Sequence, residues 1–328
     1  MKNLLTIILP VHNEEENLEQ LVSKIDQTFN LASEDFHSPF LIFVDDGSSD
    51  NSLEVIQKLI ASRGNIGCIS FSRNFGHQVA ILAGMNYASP NSIVLVMDSD
   101  GQDPPYVGID LAYQIVQGND IAYGIRKQRE GKNLIKKLLY WLFYRLFSWL
   151  SMIEIPLDAG DFCAYSPKAI QLLCSLKEKH PYVRGLRAWI GLKQIGIPYK
   201  RPERNAGKAS YTFKDLFNLA TDGIISFSVK PLRLSVMIGL LTFFICFLLI
   251  VTYTVAYIFD LKFGYLSMRN VPGFTTLILL TLMFNGLQMI MIGLIGEYLS
   301  RVFEESKGRP LYIVSQVLGN IQSQIKYE

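Results

Sequence analysis

Several common functional signatures are missing from this sequence of 328 residues. It contains no Gly-x-Gly and no Gly-x-x-x-x-Gly-Lys-Ser/Thr, which excludes the usual dinucleotide-binding fingerprint and the P-loop. Its four cysteines form no Cys-x-x-Cys pair, so free thiols in a reducing compartment are favoured over disulfides or a metal cluster. The net charge of +2 gives no sign of a concentrated basic surface, so we expect no nucleic-acid partner.

Charge is also missing locally, from two long apolar segments. Residues 234–259 and 271–296 contain no Asp, Glu, Lys or Arg. A helix of such a length measures about 39 Å, which is enough to cross a hydrocarbon core of about 30 Å. Basic residues are slightly enriched on the outer flanks of the pair. We therefore expect a multi-pass protein of the cell (inner) membrane, with both chain ends and the large N-terminal domain in the cytoplasm.

The N-terminal part of the chain alternates short apolar runs with helical stretches. The runs occupy residues 4–9, 40–44, 66–71, 93–97 and 121–123. This alternation predicts an α/β domain with a parallel, doubly wound sheet, in which ligands bind at the carboxyl ends of the strands. Asn13 and Asn51 are each followed three residues later by Glu, so both are predicted to cap helices.

Acidic side chains follow two of these predicted strands. Asp45 and Asp46 end the second run, and the fourth leads into DSDGQDPP at residues 98–105. Two carboxylates two residues apart, Asp98 and Asp100, can bind one hard cation while a substrate diphosphate supplies further oxygens. Asp-Gly sequences are also ordinary turns. Two acidic clusters at the strand ends of one sheet favour the metal-binding interpretation.

These motifs resemble glycosyltransferase family 2 and its GT-A nucleotide-sugar domain. The resemblance is carried by residues 10–14 (PVHNE), 45–48 (DDGS), 72–76 (SRNFG) and 98–105 (DSDGQDPP). Residues 158–162, 182–192 and 201–211, followed by two apolar segments, are similar to the polyprenyl-phosphate glycosyltransferases. That group includes dolichyl-phosphate mannose synthases and bactoprenol glucosyltransferases.

The resemblance implies a role for each matching residue. The nucleotide sugar would contact Pro10, His12, Glu14, Asp45 or Asp46, and Asp98. The cofactor, Mg²⁺ or Mn²⁺, would be held by Asp98, Asp100 and Gln102. Asp161 and Asp100 match catalytic carboxylates, Asp161 being the residue that is proposed as a base in the family. The phosphates would meet Arg126, Arg201, Arg204 and Lys208.

Asp161 has two further interpretations. A lipid phosphate is largely dianionic near pH 7 and hardly needs deprotonation, so Asp161 could orient the reacting groups instead of removing a proton. It could also be a capped turn beside Gly160, and Arg201 and Arg204 could be solvated surface charges.

The expected layout combines a soluble enzyme domain with a membrane anchor. Residues 1–210 form the cytoplasmic GT-A domain, residues 211–232 a juxtamembrane amphipathic helix, residues 233–297 a two-helix hairpin, and residues 298–328 a cytoplasmic tail. Residues 133–153 are amphipathic and are predicted to lie at the membrane interface, although this segment and the juxtamembrane helix could equally be core helices. Asn285 and Gln288 in the second span favour a homo-oligomer.

The expected reaction is an inverting transfer of one hexose from a nucleotide sugar to polyprenyl phosphate. The Gln-x-x-Arg-Trp signature of processive polysaccharide synthases is missing, which favours one sugar per lipid. UDP-glucose is the favoured donor, with GDP-mannose or a modified UDP-sugar as alternatives. A membrane subunit that binds nucleotide sugar or lipid without catalysis is the competing class of function.

Overall fold

A computed structural model describes residues 2–31, 34–126, 159–176, 178–201, 230–259, 262–263, 266–267 and 274–321. The chain divides into two compact units, Met1–Gly223 with Arg309–Glu328, and Ile224–Gly308. The predicted interfacial helix at 133–153 lies outside the described residues, as do Arg204, Lys208 and most of the predicted helix at 211–232.

The first unit is an α/β domain built on one eight-stranded sheet. In chain order its elements are β1 (Leu5–Val11), α1 (Leu18–Leu31), β2 (Phe40–Asp45), α2 (Ser52–Ser62), β3 (Ile66–Phe71), α3 (His77–Tyr87), β4 (Ile93–Val96), α4 (Pro105–Val116), β5 (Ile121–Arg126), β6 (Ala159–Tyr165), α5 (Pro167–Ser175), α6 (Val183–Trp189), β7 (Gln194–Tyr199) and β10 (Val314–Gly319).

The sheet is mixed, with the strand order β10-β3-β2-β1-β4-β6-β5-β7. The five strands that the apolar runs predicted are mutually parallel, as expected, but β6 is antiparallel to both β4 and β5, and β10 is antiparallel to β3. The α/β class is confirmed, and the prediction of an all-parallel sheet is wrong for these two strands. Antiparallel pairing needs no crossover helix, so the alternation of strands with helices could not reveal them.

Helices pack against the sheet through the alternating side chains of its central strands. Ile7 and Leu9 of β1 belong to the apolar core that also contains side chains of α1 and α4. Ile8, between them, meets α3 at Gly84, where a Cβ would lie 2.4 Å from Ile8 Cγ2. Glycine at this position therefore allows α3 to approach the strand closely.

The C-terminal segment returns to the sheet, which the sequence analysis did not anticipate. β10 adds to the edge of β3, where Leu318 pairs with Cys68 and packs against the core. The preceding Tyr312 ring stacks on Phe71 with a centroid distance of 5.0 Å. This pairing covers an edge strand that would otherwise expose unpaired backbone groups.

The second unit contains two long helices and a short hairpin. These are α7 (Lys230–Ile258), β8 (Lys262–Phe263), β9 (Leu266–Ser267) and α8 (Phe274–Ser306). Among the described residues, one helix is long and apolar enough to cross a membrane: α7, whose window Leu232–Leu249 has a mean hydropathy of 2.4 and is not buried. α8 begins three residues after the start of the second uncharged segment and continues ten residues beyond its end.

Gly319 tests the importance of the returning strand. It has a φ of +79°, and a Cβ there would lie 2.4 Å from the carbonyl oxygen of Ile66. Gly118 has a φ of +91° but open space around it. We expect Gly118→Ala to cost about 1–2 kcal/mol from backbone conformation alone. Gly319→Ala should cost about 1–3 kcal/mol more because β10 must shift away from β3.

The measurement is the melting temperature of both variants in detergent. Equal shifts for Gly319→Ala and Gly118→Ala would show that β10 does not pack on β3 as described.

Candidate functional site

The charged side chains of the site meet at one edge of the sheet. β1, β2 and β4 end at this edge, and the antiparallel β6 begins there. Val96 pairs with Cys163, so Asp98 and Asp161, each two residues further towards the edge, come from adjacent positions. The strand order reverses between β1 and β4, which is where open α/β sheets bind ligands.

Asp98 and Asp100 converge on a single cationic group. Arg201, which follows β7, places Nη2 2.9 Å from Asp98 Oδ2 and 3.5 Å from Asp100 Oδ2. Hard oxygen ligands that reach one cation suit Mg²⁺ or Mn²⁺, with the remaining positions left to a diphosphate. Among the described residues, no cluster of three or more His, Cys, Asp or Glu side chains could hold a metal by itself. The pair therefore fits a metal that is shared with a substrate.

The loop after β4 is held in place by its own side chains. The backbone N–H of Gln102 donates to Asp100 Oδ1 at 3.0 Å, and Ser99 Oγ donates to the carbonyl oxygen of Pro10 at 2.6 Å. Asp103 is buried beneath the loop, where it accepts hydrogen bonds from the backbone N–H of Asp98 and the hydroxyl of Tyr199. Burial, together with the charge of Asp98, raises the pKa of Asp103 to about 7.

Arg126 reaches the same carboxylates from the end of β5. Its Nη2 lies 4.0 Å from Asp98 Oδ2. A Cβ on Gly160 would lie 2.9 Å from this Nη2, so glycine at this position makes room for the guanidinium. Arg126 and Arg201 thus lie beside the predicted metal ligands, as expected for groups that bind a diphosphate.

Asp161 is buried and surrounded by donors. Arg184 donates from Nε to Oδ1 at 2.9 Å and from Nη2 to Oδ2 at 2.8 Å, and Gln78 Nε2 donates to Oδ2 at 3.0 Å. Burial alone would raise the pKa of Asp161, but the charge and hydrogen bonds of Arg184 hold it well below its usual range. A carboxylate with so low a pKa is a weak base, which favours the interpretation that Asp161 orients the reacting groups.

His77, the first residue of α3, lies between two carboxylates. Its Nε2 is 3.6 Å from both Asp98 Oδ1 and Asp161 Oδ2. Desolvation would lower the pKa of His77, but its pairing with Asp161 and the charge of Asp98 raise it to about 9. The side chain of His77 is nevertheless 38% exposed.

The predicted nucleoside contacts lie on the other side of the strand-order reversal. His12 is exposed, with Nδ1 3.0 Å from the carbonyl oxygen of Asp46 and Nε2 3.2 Å from Asn74 Nδ2. Glu14 accepts from Asn17 through Oε2 at 2.6 Å. Pro10 is buried at the end of β1. The exposed ring of His12 therefore lies beside Asp46 and Asn74, and its contact with a nucleoside stays a prediction.

The carboxylates of Asp45 and Asp46 bind the protein itself. Asp46 accepts the backbone N–H groups of Phe75 and Gly76, at 2.6 and 2.9 Å. Asp45 accepts from the N–H of Ser48 and the hydroxyl of Ser70. Both side chains are buried, so their described contacts order the loops around the site.

Of the two predicted helix caps, Asn13 is wrong and Asn51 is right in position only. Asn13 has a φ of +57°, and its Oδ1 accepts the backbone N–H of Ser49 at 2.8 Å, which joins the loops after β1 and β2. Asn51 is the N-cap residue of α2, but its side chain makes no capping hydrogen bond. Asn side chains satisfy loop backbone groups as readily as helix ends, so the sequence pattern could not separate the two uses.

Four residues of the site were missed by the sequence analysis: His77, Gln78, Arg184 and Asp103. The motif at residues 98–105 already contained Asp103, and residue 77 directly follows the motif at 72–76, so proximity could have signalled both. Arg184 approaches Asp161 from α6, and no spacing in the sequence signals that contact.

This α/β domain, with acidic loops at its strand reversal, has the architecture of a GT-A-like nucleotide-sugar domain. The family model for glycosyl transferase family 2 matches residues 6–173. The chain belongs to glycosyltransferase family 2, and the expected family is confirmed.

Relatives match nearly the whole chain. An uncharacterized glycosyltransferase, YkcC of Bacillus subtilis (strain 168), is 38% identical and is aligned over 96% of this chain and 94% of its own length. The bactoprenol glucosyl transferase of Shigella phage SfV is 33% identical over 94% of this chain and 97% of its own. Glucosyl-3-phosphoglycerate synthase from Mycobacterium tuberculosis, solved with UDP, is 20% identical with a TM-score of 0.46, covering 68% of this chain and 78% of its own.

Asp161→Asn separates the two roles of this carboxylate. Arg184 lowers the pKa of Asp161 in the folded protein below that of an ordinary Asp. The ionised carboxylate therefore stabilises the fold at pH values above the ordinary pKa of Asp, and this stabilisation is lost as the pH falls through the lowered pKa. We expect the variant to lose about 10²-fold or more in turnover. Its pH–rate profile from pH 5.5 to 9 should keep the shape of the wild-type profile, because misplaced groups slow the reaction at every pH.

The readout is the pH–rate profile of initial velocity at saturating substrates. Recovery of Asp161→Asn activity at high pH would instead identify Asp161 as the general base.

Proposed function

We propose that this protein transfers one hexose, glucose from UDP-glucose, to a polyprenyl phosphate at the cytoplasmic face of the membrane. The carrying observation is the convergence of Asp98 and Asp100 on the guanidinium of Arg201, with Arg126 Nη2 4.0 Å from Asp98 Oδ2. The full-length similarity to bactoprenol glucosyl transferases supports glucose as the sugar and a polyprenyl carrier as the acceptor.

On the donor side, Asp98, Asp100 and Gln102 would hold Mg²⁺ or Mn²⁺ beside the diphosphate. When bound, such a metal would neutralise the charge that grows on the leaving diphosphate. Arg126 and Arg201 donate to the same phosphate oxygens, since both already lie within 4.0 Å of Asp98. Pro10, His12 and Glu14 contact the nucleoside, whose base stacks on the exposed imidazole ring of His12.

On the acceptor side, the phosphate needs little activation. A phosphate monoester has a second pKa of about 6, so its oxygen is already an anionic nucleophile at neutral pH. Direct attack on the anomeric carbon from the face opposite the nucleotide inverts its configuration and requires no covalent enzyme intermediate. An α-linked donor therefore yields a β-linked lipid product. The main barrier is repulsion between two anions, which the cationic side chains of the site reduce.

An activity assay tests this function. Purified protein, polyprenyl phosphate and a panel of labelled UDP- and GDP-sugars should give a labelled lipid with UDP-glucose and Mg²⁺ or Mn²⁺, and none with EDTA. Asp98→Ala and Asp100→Ala should each lose about 10²–10³-fold in rate, as expected for removing one electrostatic stabiliser of the transition state. Asp110→Ala is the matched control, because Asp110 is exposed on α4.

Two results would contradict the proposal. One is the failure of every donor to label the lipid, and the other is full activity in EDTA.

The acceptor remains in the membrane, so we also propose a two-helix anchor formed by α7 and α8. Large apolar side chains on both helices are exposed, including Phe244 and Ile290. β7 and β10 belong to one sheet, so the chain must cross a membrane an even number of times between them. This parity supports a hairpin, and exposed Asn285 and Gln288 on α8 support self-association into an oligomer.

Cysteine labelling tests the hairpin. In intact spheroplasts, Ser267→Cys in β9 should react with a membrane-impermeant maleimide, because the hairpin places it outside. Ser306→Cys at the end of α8 should react only after permeabilisation. Equal labelling of both positions from the outside would contradict the hairpin.

A further inference from the structure

Asp98 has nitrogen donors close to both of its carboxylate oxygens. Oδ2 faces Arg201 Nη2 at 2.9 Å and Arg126 Nη2 at 4.0 Å. Oδ1 faces His77 Nε2 at 3.6 Å. The site therefore contains nitrogen donors on both sides of a single carboxylate. A reaction between a sugar diphosphate and a second phosphate needs two such sets of donors, close together but distinct.

The second group is built on Asp161. This buried carboxylate binds Arg184 through two hydrogen bonds and lies 3.6 Å from His77 Nε2. Gln78 joins the first turns of α3 and α6, because its Nε2 donates to Asp161 and its Oε1 accepts the backbone N–H of Val183 at 2.9 Å. The network fixes His77 and Arg184 relative to Asp98.

His77 and Arg184 each keep an accessible side. The side chains of His77 and Arg184 are 38% and 27% exposed, whereas that of Asp161 is 6% exposed. Arg184 uses Nε and Nη2 for Asp161, and its Nη1 makes no hydrogen bond to any residue that the structure describes. His77 is also the first residue of α3, so it lies at the helix end where backbone N–H groups give a partial positive charge. Arg184 can therefore donate from Nη1 to an anion without giving up Asp161, and the partly exposed His77 lies at the same Asp161 oxygen.

We propose that His77 and Arg184 bind the phosphate of the acceptor, and that Asp161 and Gln78 are positioning residues that hold this pair. The proposal rests on the proposed function and names the acceptor subsite within it. Arg201, which the family resemblance places among the phosphate-binding residues, contacts Asp98 and Asp100 and therefore belongs to the donor side. Asp98 then lies between the two phosphate sites. Arg201 and Arg126 of the donor side face its Oδ2, and His77 of the acceptor side faces its Oδ1.

The test compares binding of acceptor and donor in four variants: His77→Gln, His77→Lys, Arg184→Gln and Arg184→Lys. A short-chain prenyl phosphate is the acceptor probe and UDP with Mg²⁺ is the donor probe. The two Gln variants should raise the Kd and KM for the prenyl phosphate about 10- to 100-fold, as expected for loss of a charged hydrogen bond. Their Kd for UDP should stay within twofold of wild type, and the Lys variants should recover part of the acceptor affinity.

Three controls sharpen the result. Arg63→Gln removes an arginine whose guanidinium pairs with Asp26, outside the site, and should change neither affinity. A prenyl alcohol of equal length should not bind, and inorganic phosphate should compete weakly with the prenyl phosphate, which separates headgroup recognition from chain recognition. Thermal unfolding checks each variant. If Arg184→Gln does not fold, the more exposed His77 still provides the test.

The outcomes separate this inference from the proposed function. Wild-type protein that transfers no sugar to polyprenyl phosphate contradicts the function itself. Active wild type with Gln variants that weaken UDP binding, or that leave acceptor binding unchanged, overturns the acceptor subsite alone.

Discussion

The placement of Asp98 between nitrogen donors on both of its oxygens is the arrangement on which the rest of the site depends. Four carboxylates, Asp98, Asp100, Asp103 and Asp161, alternate in space with His77, Arg126, Arg184 and Arg201. Buried charges are tolerated only when they are paired, so each group holds its neighbours in position. Under the proposed function, a substrate diphosphate would enter this network by exchanging partners with groups that are already ordered, which would reduce the reorganisation that binding requires.

The part of the site that could be predicted from sequence is the part that single strands determine. Asp98 and Asp100 follow a buried strand directly, so their position at the sheet edge comes from local chain geometry. Arg184 could not be predicted in the same way. Its contact with Asp161 depends on β6 being antiparallel and on α6 packing beside α3, both of which arise from tertiary packing.

Chemical type alone also could not separate ligands from structural groups. Asp45 and Asp46 have the residue types expected of nucleoside contacts, yet the backbone N–H groups of Ser48, Phe75 and Gly76 bind their carboxylates. A carboxylate accepts a backbone N–H as readily as a ligand hydroxyl. Only the positions of the surrounding loops distinguish the two, and those loops are brought together by the parallel pairing of β1, β2 and β3.

The returning strand β10 links the C-terminal end of the chain to the loop that precedes His77. Ser72, just after β3, donates its backbone N–H to the carbonyl oxygen of Ile313 at 3.0 Å. Tyr312 stacks on Phe71, and Phe71 meets Phe75 edge to face at 5.6 Å. Phe75 is in turn fixed through its backbone by Asp46. Because these contacts are continuous, the segment that follows α8 helps to hold the start of α3. It therefore also helps to hold His77 beside Asp98.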